Sequence, residues 1–192
     1  MCAGQSPSSG SDDAAWPASA LWDHAITLYG RPGVRDACLA LQEGHGADVC
    51  LLLLACWLGR TGRRPDGPAL DRLRAEARSW QDGVISHLRI ARREMRRRLQ
   101  DISPELRPPL SAARGRLAGV ELGAERALLT MLDTMASQIP AGSPHKLEIA
   151  SELMRQIVAF SPENGPILLV LLAAAFPESD RGSLERTLDL AE

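Results

Sequence analysis

Asp23, His24, Cys38, His45, Cys50 and Cys56 crowd the first sixty positions, and each is of a type that can ligate a metal or take part in nucleophilic or acid–base chemistry. A metal site needs such donors converging at a fixed spacing. These spacings match no zinc signature, no CxxC occurs, and His45 lies in a Gly-His-Gly turn. No metal and no cofactor is expected. Nucleophilic catalysis needs a Ser or Cys beside a His, and neither GxSxG nor a papain-like cysteine context is present. The turns GRPGVR and GHGAD lack GxGxxG spacing and a preceding strand, so no phosphate loop is expected either. Trp22, Tyr29, Trp57 and Trp80 could line a ligand pocket, but at helical spacing among leucines they read as core. The chain reads as non-catalytic. The alternative is an enzyme or a small-ligand or cofactor-binding protein with a pocket near Trp22, Asp23, His24 and Asp48.

The feature out of the ordinary is basic. Residues 89–98 hold six arginines and a single glutamate. Over 84–100, Val84, Leu88, Ala91, Met95 and Leu99 fall within a narrow arc of a helix turning about 100° per residue. Arg89, Arg93, Arg96 and Arg97 cluster opposite that arc, Arg92 and Arg98 flank it, and Ile90 stands off it. The first four are the candidate binding face. Like charges at i, i+3 and i+4 repel, each pair costing a few tenths of a kcal/mol. A face this basic calls for a balancing anion. An acidic protein would supply it through bidentate pairs, and nucleic acid through counterion release. The chain's own Glu178, Asp180, Glu185 and Asp189 would supply it with no partner at all.

Charge along the chain agrees. Net charge is −2, yet residues 60–116 hold 15 arginines against 7 acids, between an acidic first third and an acidic last third. Of the 22 basic residues only Lys146 is a lysine. That bias follows as readily from a GC-rich genome as from a need for planar anion recognition.

The elements that must position these residues are helical. Leu, Ala and Arg dominate and β-formers are few. The organising stretch is 47–58, ADVCLLLLACWL, apolar all round from Val49 and therefore enclosed by protein or lipid. It is shorter than the roughly 20 residues that cross a bilayer, and arginines follow it closely. It reads as the central helix of a core, with no integral membrane segment. Gly59 and Gly62 read as its stop signals. Other helices are expected over 19–29, 33–43, 66–80, 84–100, 110–137, 144–160 and 166–176. In 110–137, Leu117, Val120, Leu128, Leu132 and Met135 should point inward. Gly115, Gly119 and Gly123, one turn apart, suggest a second helix packed over them.

The residues from Leu21 to Trp57 carry a resemblance. Leu21-Trp22, Tyr29, Pro32-Gly33-Val34, Cys38-Leu39, Leu41-Gln42, Gly46, Asp48-Val49 and the Leu51–Leu54 run resemble an uncharacterised proteobacterial family of short helical proteins, a domain of unknown function. The match covers about residues 20–130 and implies no activity. The expected architecture is an all-α, compact domain of about seven or eight helices around the apolar central helix, over 19–177. A disordered tail at 1–18, with Trp16 as its one docking residue, and an acidic tail at 178–192 should flank it. The acidic tail is expected to hold one weak amphipathic turn through Leu184, Leu188 and Leu190. Residues 1–20 lack a basic start and an apolar run, so the expected compartment is the cytoplasm, with reduced thiols.

Overall fold

The structure is a computed structural model and describes residues 16–190. Among them the chain is all-helical. The helices are α1 (Ala20–Tyr29), α2 (Val34–His45), α3 (Val49–Thr61), α4 (Gly67–Trp80), α5 (Ser86–Asp101), α6 (Arg107–Ala136), α7 (Lys146–Ile157), α8 (Gly165–Ala175) and α9 (Arg181–Thr187). A π-helical turn, Gln81–Ile85, joins α4 to α5. Eight α-helices fall within 19–177, as the sequence implies. No helix among the described residues is long and apolar enough to cross a membrane.

Helix α3 lies at the centre. Asp48 caps it from an extended backbone, Oδ1 accepting from the amides of Cys50 at 2.9 Å and Leu51 at 3.3 Å. Leu52 through Cys56 and Leu58 are buried on every side by α1, α6, α7 and α8. Each buried leucine contributes about 1.5–3 kcal/mol, which is why an all-round apolar helix sits inside. Gly59 does not end α3. A Cβ there would lie 2.6 Å from the Lys146 carbonyl oxygen and 2.7 Å from Ala150 Cβ, so Gly59 is where α7 presses directly on the α3 backbone. The stop comes at Gly62, whose φ of +63° is left-handed and suits glycine.

Four expectations are corrected. Val120 is 58% exposed, on the face of α6 turned to solvent. Gly115 and Gly119 face open space, and the nearest approach to Gly123 is the Trp16 ring, so no helix of the described chain covers these glycines. Residues beyond 177 are not all tail: α9 forms, and Leu184 and Leu188 are buried against α7 and α8. Val84 is 40% exposed, whereas Ile85 is buried. The wider π turn adds a residue to the backbone circuit, so an arc extrapolated at α-helical pitch from α5 misplaces what precedes it.

The disordered tail expected at 1–18 falls mostly outside the described residues. Trp16 docks as expected: the Arg126 guanidinium lies 5.4 Å from its ring centroid and 5.3 Å from that of Trp22.

Candidate functional site

The Arg-rich helix divides into two parts. Arg89 does not project outward. Its Nε donates to Glu121 Oε1 and its Nη2 to Glu125 Oε1, both at 3.2 Å, with 14% of the side chain exposed. Arg92, expected at the flank, also turns inward. Its Nε and Nη2 both bond Glu121, the second at 3.2 Å. Arg89 and Arg92 share the inward face of α5 with Leu88, Met95 and Leu99, and α6 meets them with two acids one turn apart.

Burial pushes the Glu121 carboxyl up, but Arg92 and Arg89 outweigh it and hold the group below its ordinary range. Glu125 has the opposite balance: burial raises it, and Arg89 does not compensate. These contacts run Arg89 to Glu125 and Arg92 to Glu121, so α5 and α6 lie antiparallel. The far end of α5 therefore lies beside the start of α6.

That far end is exposed. Arg97 donates twice to Glu94, at 2.9 and 2.7 Å, and Arg98 once, at 2.8 Å. Together they hold the Glu94 carboxyl down at about 2. Arg93 reaches across to Glu43 at 3.1 Å. Arg96 makes no ion pair among the described residues. The C-terminal acids are engaged elsewhere: Glu178 by Arg60, Glu185 by Arg181 and Asp189 by Arg155, while Asp180 caps α9. None of them neutralises α5.

A second feature went unseen in the sequence. A cleft of about 710 Å³ opens between the start of α3, the end of α4, the π turn, α5 and the end of α7. Asp48 and Gln81 line it, with Gln81 Nε2 donating to Asp48 Oδ1 at 3.1 Å. Arg74 and Arg78, one turn apart on α4, form a wall. Arg74 meets only Gln156, at 3.3 Å, and Arg78 has no ion pair among the described residues. Burial raises the Asp48 carboxyl above its ordinary range, against the pull of the Leu51 and Cys50 amides and of Gln81. The sequence signal was available: two arginines at i, i+4 beside a capping aspartate.

The pocket suggested near Trp22, Asp23, His24 and Asp48 is not assembled. Asp48 lines the large cleft, whereas His24 lines a separate cavity of about 110 Å³ with Arg31 and Arg60. Asp23 is exposed, and Trp22 stacks on Arg126. His24 lies 5.2 Å from the Trp57 ring centroid, its Nε2 buried without a partner. Burial, Arg60 and Arg31 lower its pKa to about 4.

Cys38, Cys50 and Cys56 are free and buried. Burial pushes Cys38 and Cys56 up to about 12 and raises Cys50 well above the ordinary thiol range. None is a poised nucleophile. No group of three or more His, Cys, Asp or Glu that could hold a metal occurs among the described residues.

Fold and site together define an all-helical protein with a buried ion-pair network, a polar cleft and a basic helix end. The chain belongs to the family described as "Protein of unknown function (DUF2390)", whose model matches residues 20–132. No curated protein matches it, and no solved structure does.

Proposed function

We propose that this protein is a non-catalytic helical adaptor that docks on an acidic protein surface through the outer end of the α5–α6 pair. The observation that supports it most is the separation of arginines along α5. Arg89 and Arg92 are neutralised inside, while Arg96, Arg97 and Arg98 remain on the surface with one carboxylate among them. Arg93 continues that surface, and Arg107 and Arg116 at the start of α6 are exposed beside it. Exposed pairs such as Arg97–Glu94 contribute little and exchange readily, so a partner carboxylate can replace Glu94.

An acidic protein is favoured over single-stranded nucleic acid because no Phe, Tyr or Trp stands between Val84 and Met135 to stack on a base. The reading places the protein in a reducing cytoplasm, with Cys38, Cys50 and Cys56 as free thiols.

The test uses polyglutamate, duplex DNA and single-stranded RNA as probes, with the full chain and with R96E/R97E/R98E. Binding of polyglutamate that weakens with salt and is lost on charge reversal supports the reading. Preference for DNA or RNA, or polyglutamate binding unchanged in a folded reversed protein, overturns it.

A further inference from the structure

The cleft is not explained by docking at the far end of α5. It is built rather than incidental. Three polar contacts between separate elements frame it: Asp48–Gln81 from α3 to the π turn, Arg74–Gln156 from α4 to α7, and Arg93–Glu43 from α5 to α2. Its volume of about 710 Å³ falls within the roughly 300–1,000 Å³ of small-ligand sites. A π turn inside a helix costs hydrogen-bond geometry and recurs at functional sites. Here it carries Gln81 to Asp48.

The lining has two unlike poles. On one wall, Arg74 and Arg78 present like charges at i, i+4, an arrangement that an anion relieves; Asp82, one turn beyond Arg78, lines the same cleft without an ion pair among the described residues, and Arg89 and Arg93 line it too. At the other pole, Asp48 Oδ1 accepts every hydrogen bond that the Asp48 side chain makes among the described residues, which leaves Oδ2 for a donor in the cleft. Leu51, Ile90 and Ile157 supply apolar wall between the two.

We infer that this cleft binds a small polar anion whose carboxylate or phosphate sits between Arg74 and Arg78 and whose hydroxyl or ammonium group donates to Asp48 Oδ2. A plain anion satisfies only one pole. A bare polyol satisfies only the other. The inference does not rest on the docking reading: Arg74 and Arg78 lie on α4, and Arg93, which borders both the cleft and the docking surface, is left unaltered in R96E/R97E/R98E.

The experiment is calorimetric titration of the full chain with four probes: inorganic phosphate, glutarate, ribose 5-phosphate and glutamate. The last two add donors to the anions of the first two, and the phosphate and carboxylate arms separate the sources. At least one donor-bearing probe should bind about tenfold more tightly than its plain counterpart, the scale of one charge-assisted hydrogen bond. R74Q/R78Q should weaken that binding by about tenfold or more. D48N keeps an oxygen to cap α3 and should abolish only the advantage of the donor. R96E/R97E/R98E should bind as the unaltered chain does, so failure of the docking reading leaves this result readable. No saturable binding by any probe, or binding indifferent to both R74Q/R78Q and D48N in folded variants, overturns the inference.

Discussion

Arg89 Nη2 lies 3.2 Å from Glu125 Oε1, and this contact decides which arginines of α5 can meet a partner. It draws the inner half of the helix onto α6 and leaves the outer half in solvent. Removing one member of a buried pair strands the other, which costs about 3–5 kcal/mol. Arg89→Ala strands both Glu125 and part of the Glu121 site, so its unfolding free energy should fall by an amount of that order and its denaturant midpoint with it. Arg97→Ala, in an exposed pair, should leave the midpoint unchanged. Equal effects would mean that the inner pair is not structural.

The α3–α7 contact yields a second expectation. Gly59→Ala would place a methyl within 2.7 Å of Ala150 Cβ and closer still to the Lys146 carbonyl. Neither neighbour is the tip of a flexible side chain, so the helices must separate. Overpacking of this kind costs about 1–3 kcal/mol, measurable by urea unfolding. Gly44→Ala, where nothing lies within 4 Å, serves as the control and should be neutral or better.

Asp48 separates capping from charge. Asp48→Ala removes the side-chain acceptor of the Cys50 and Leu51 amides and should cost about 1 kcal/mol. Asp48→Asn keeps an oxygen cap and removes a carboxylate that burial disfavours. It should equal or exceed the parent in stability at neutral pH. A loss in Asp48→Asn as large as in Asp48→Ala would show that the charge, not the cap, holds α3.

His24 controls the acid limb. Its folded pKa is about 4 against 6.5 for the free group, so between these values the unfolded chain binds more protons than the folded one. Stability should therefore be unaffected by His24 above about pH 6.5 and fall as pH drops toward 4. In His24→Gln that slope should flatten in thermal melts taken across the window. The depressed carboxylates Glu121 and Glu94 act at lower pH, where the two proteins should lose stability together. Parallel melting curves over the whole window would contradict this assignment.

The helices and the central place of α3 were readable because burial leaves a one-dimensional trace. Residues 49–58 are apolar on every face, and α8 repeats the pattern. What could not be read arose from contacts between segments distant in sequence. Arg89 looked exposed because Glu121 and Glu125 stand more than thirty positions away, and the π turn at 81–85 shifted Val84 off the face of α5 without any proline to announce it. The two carboxylates one turn apart, in a helix otherwise rich in Leu, Ala and Gly, were the trace of that network. Gly59 had the composition of a stop signal and the role of a packing contact, a distinction that only the approach of α7 makes visible. Leu184 and Leu188 have the spacing of one helical turn, but their burial depends on α7 and α8.

The central claim is that the outer arginines of α5, and not the inner ones, receive an acidic partner. The most direct measurement follows the arginine Nε–Hε resonances by NMR while polyglutamate is added at low salt. Saturable shifts are expected at Arg96, Arg97 and Arg98, reversed by salt, with Arg89 and Arg92 unmoved. Shifts confined to Arg60, Arg64 or Arg155, or no saturable shift at the outer end of α5, would contradict it.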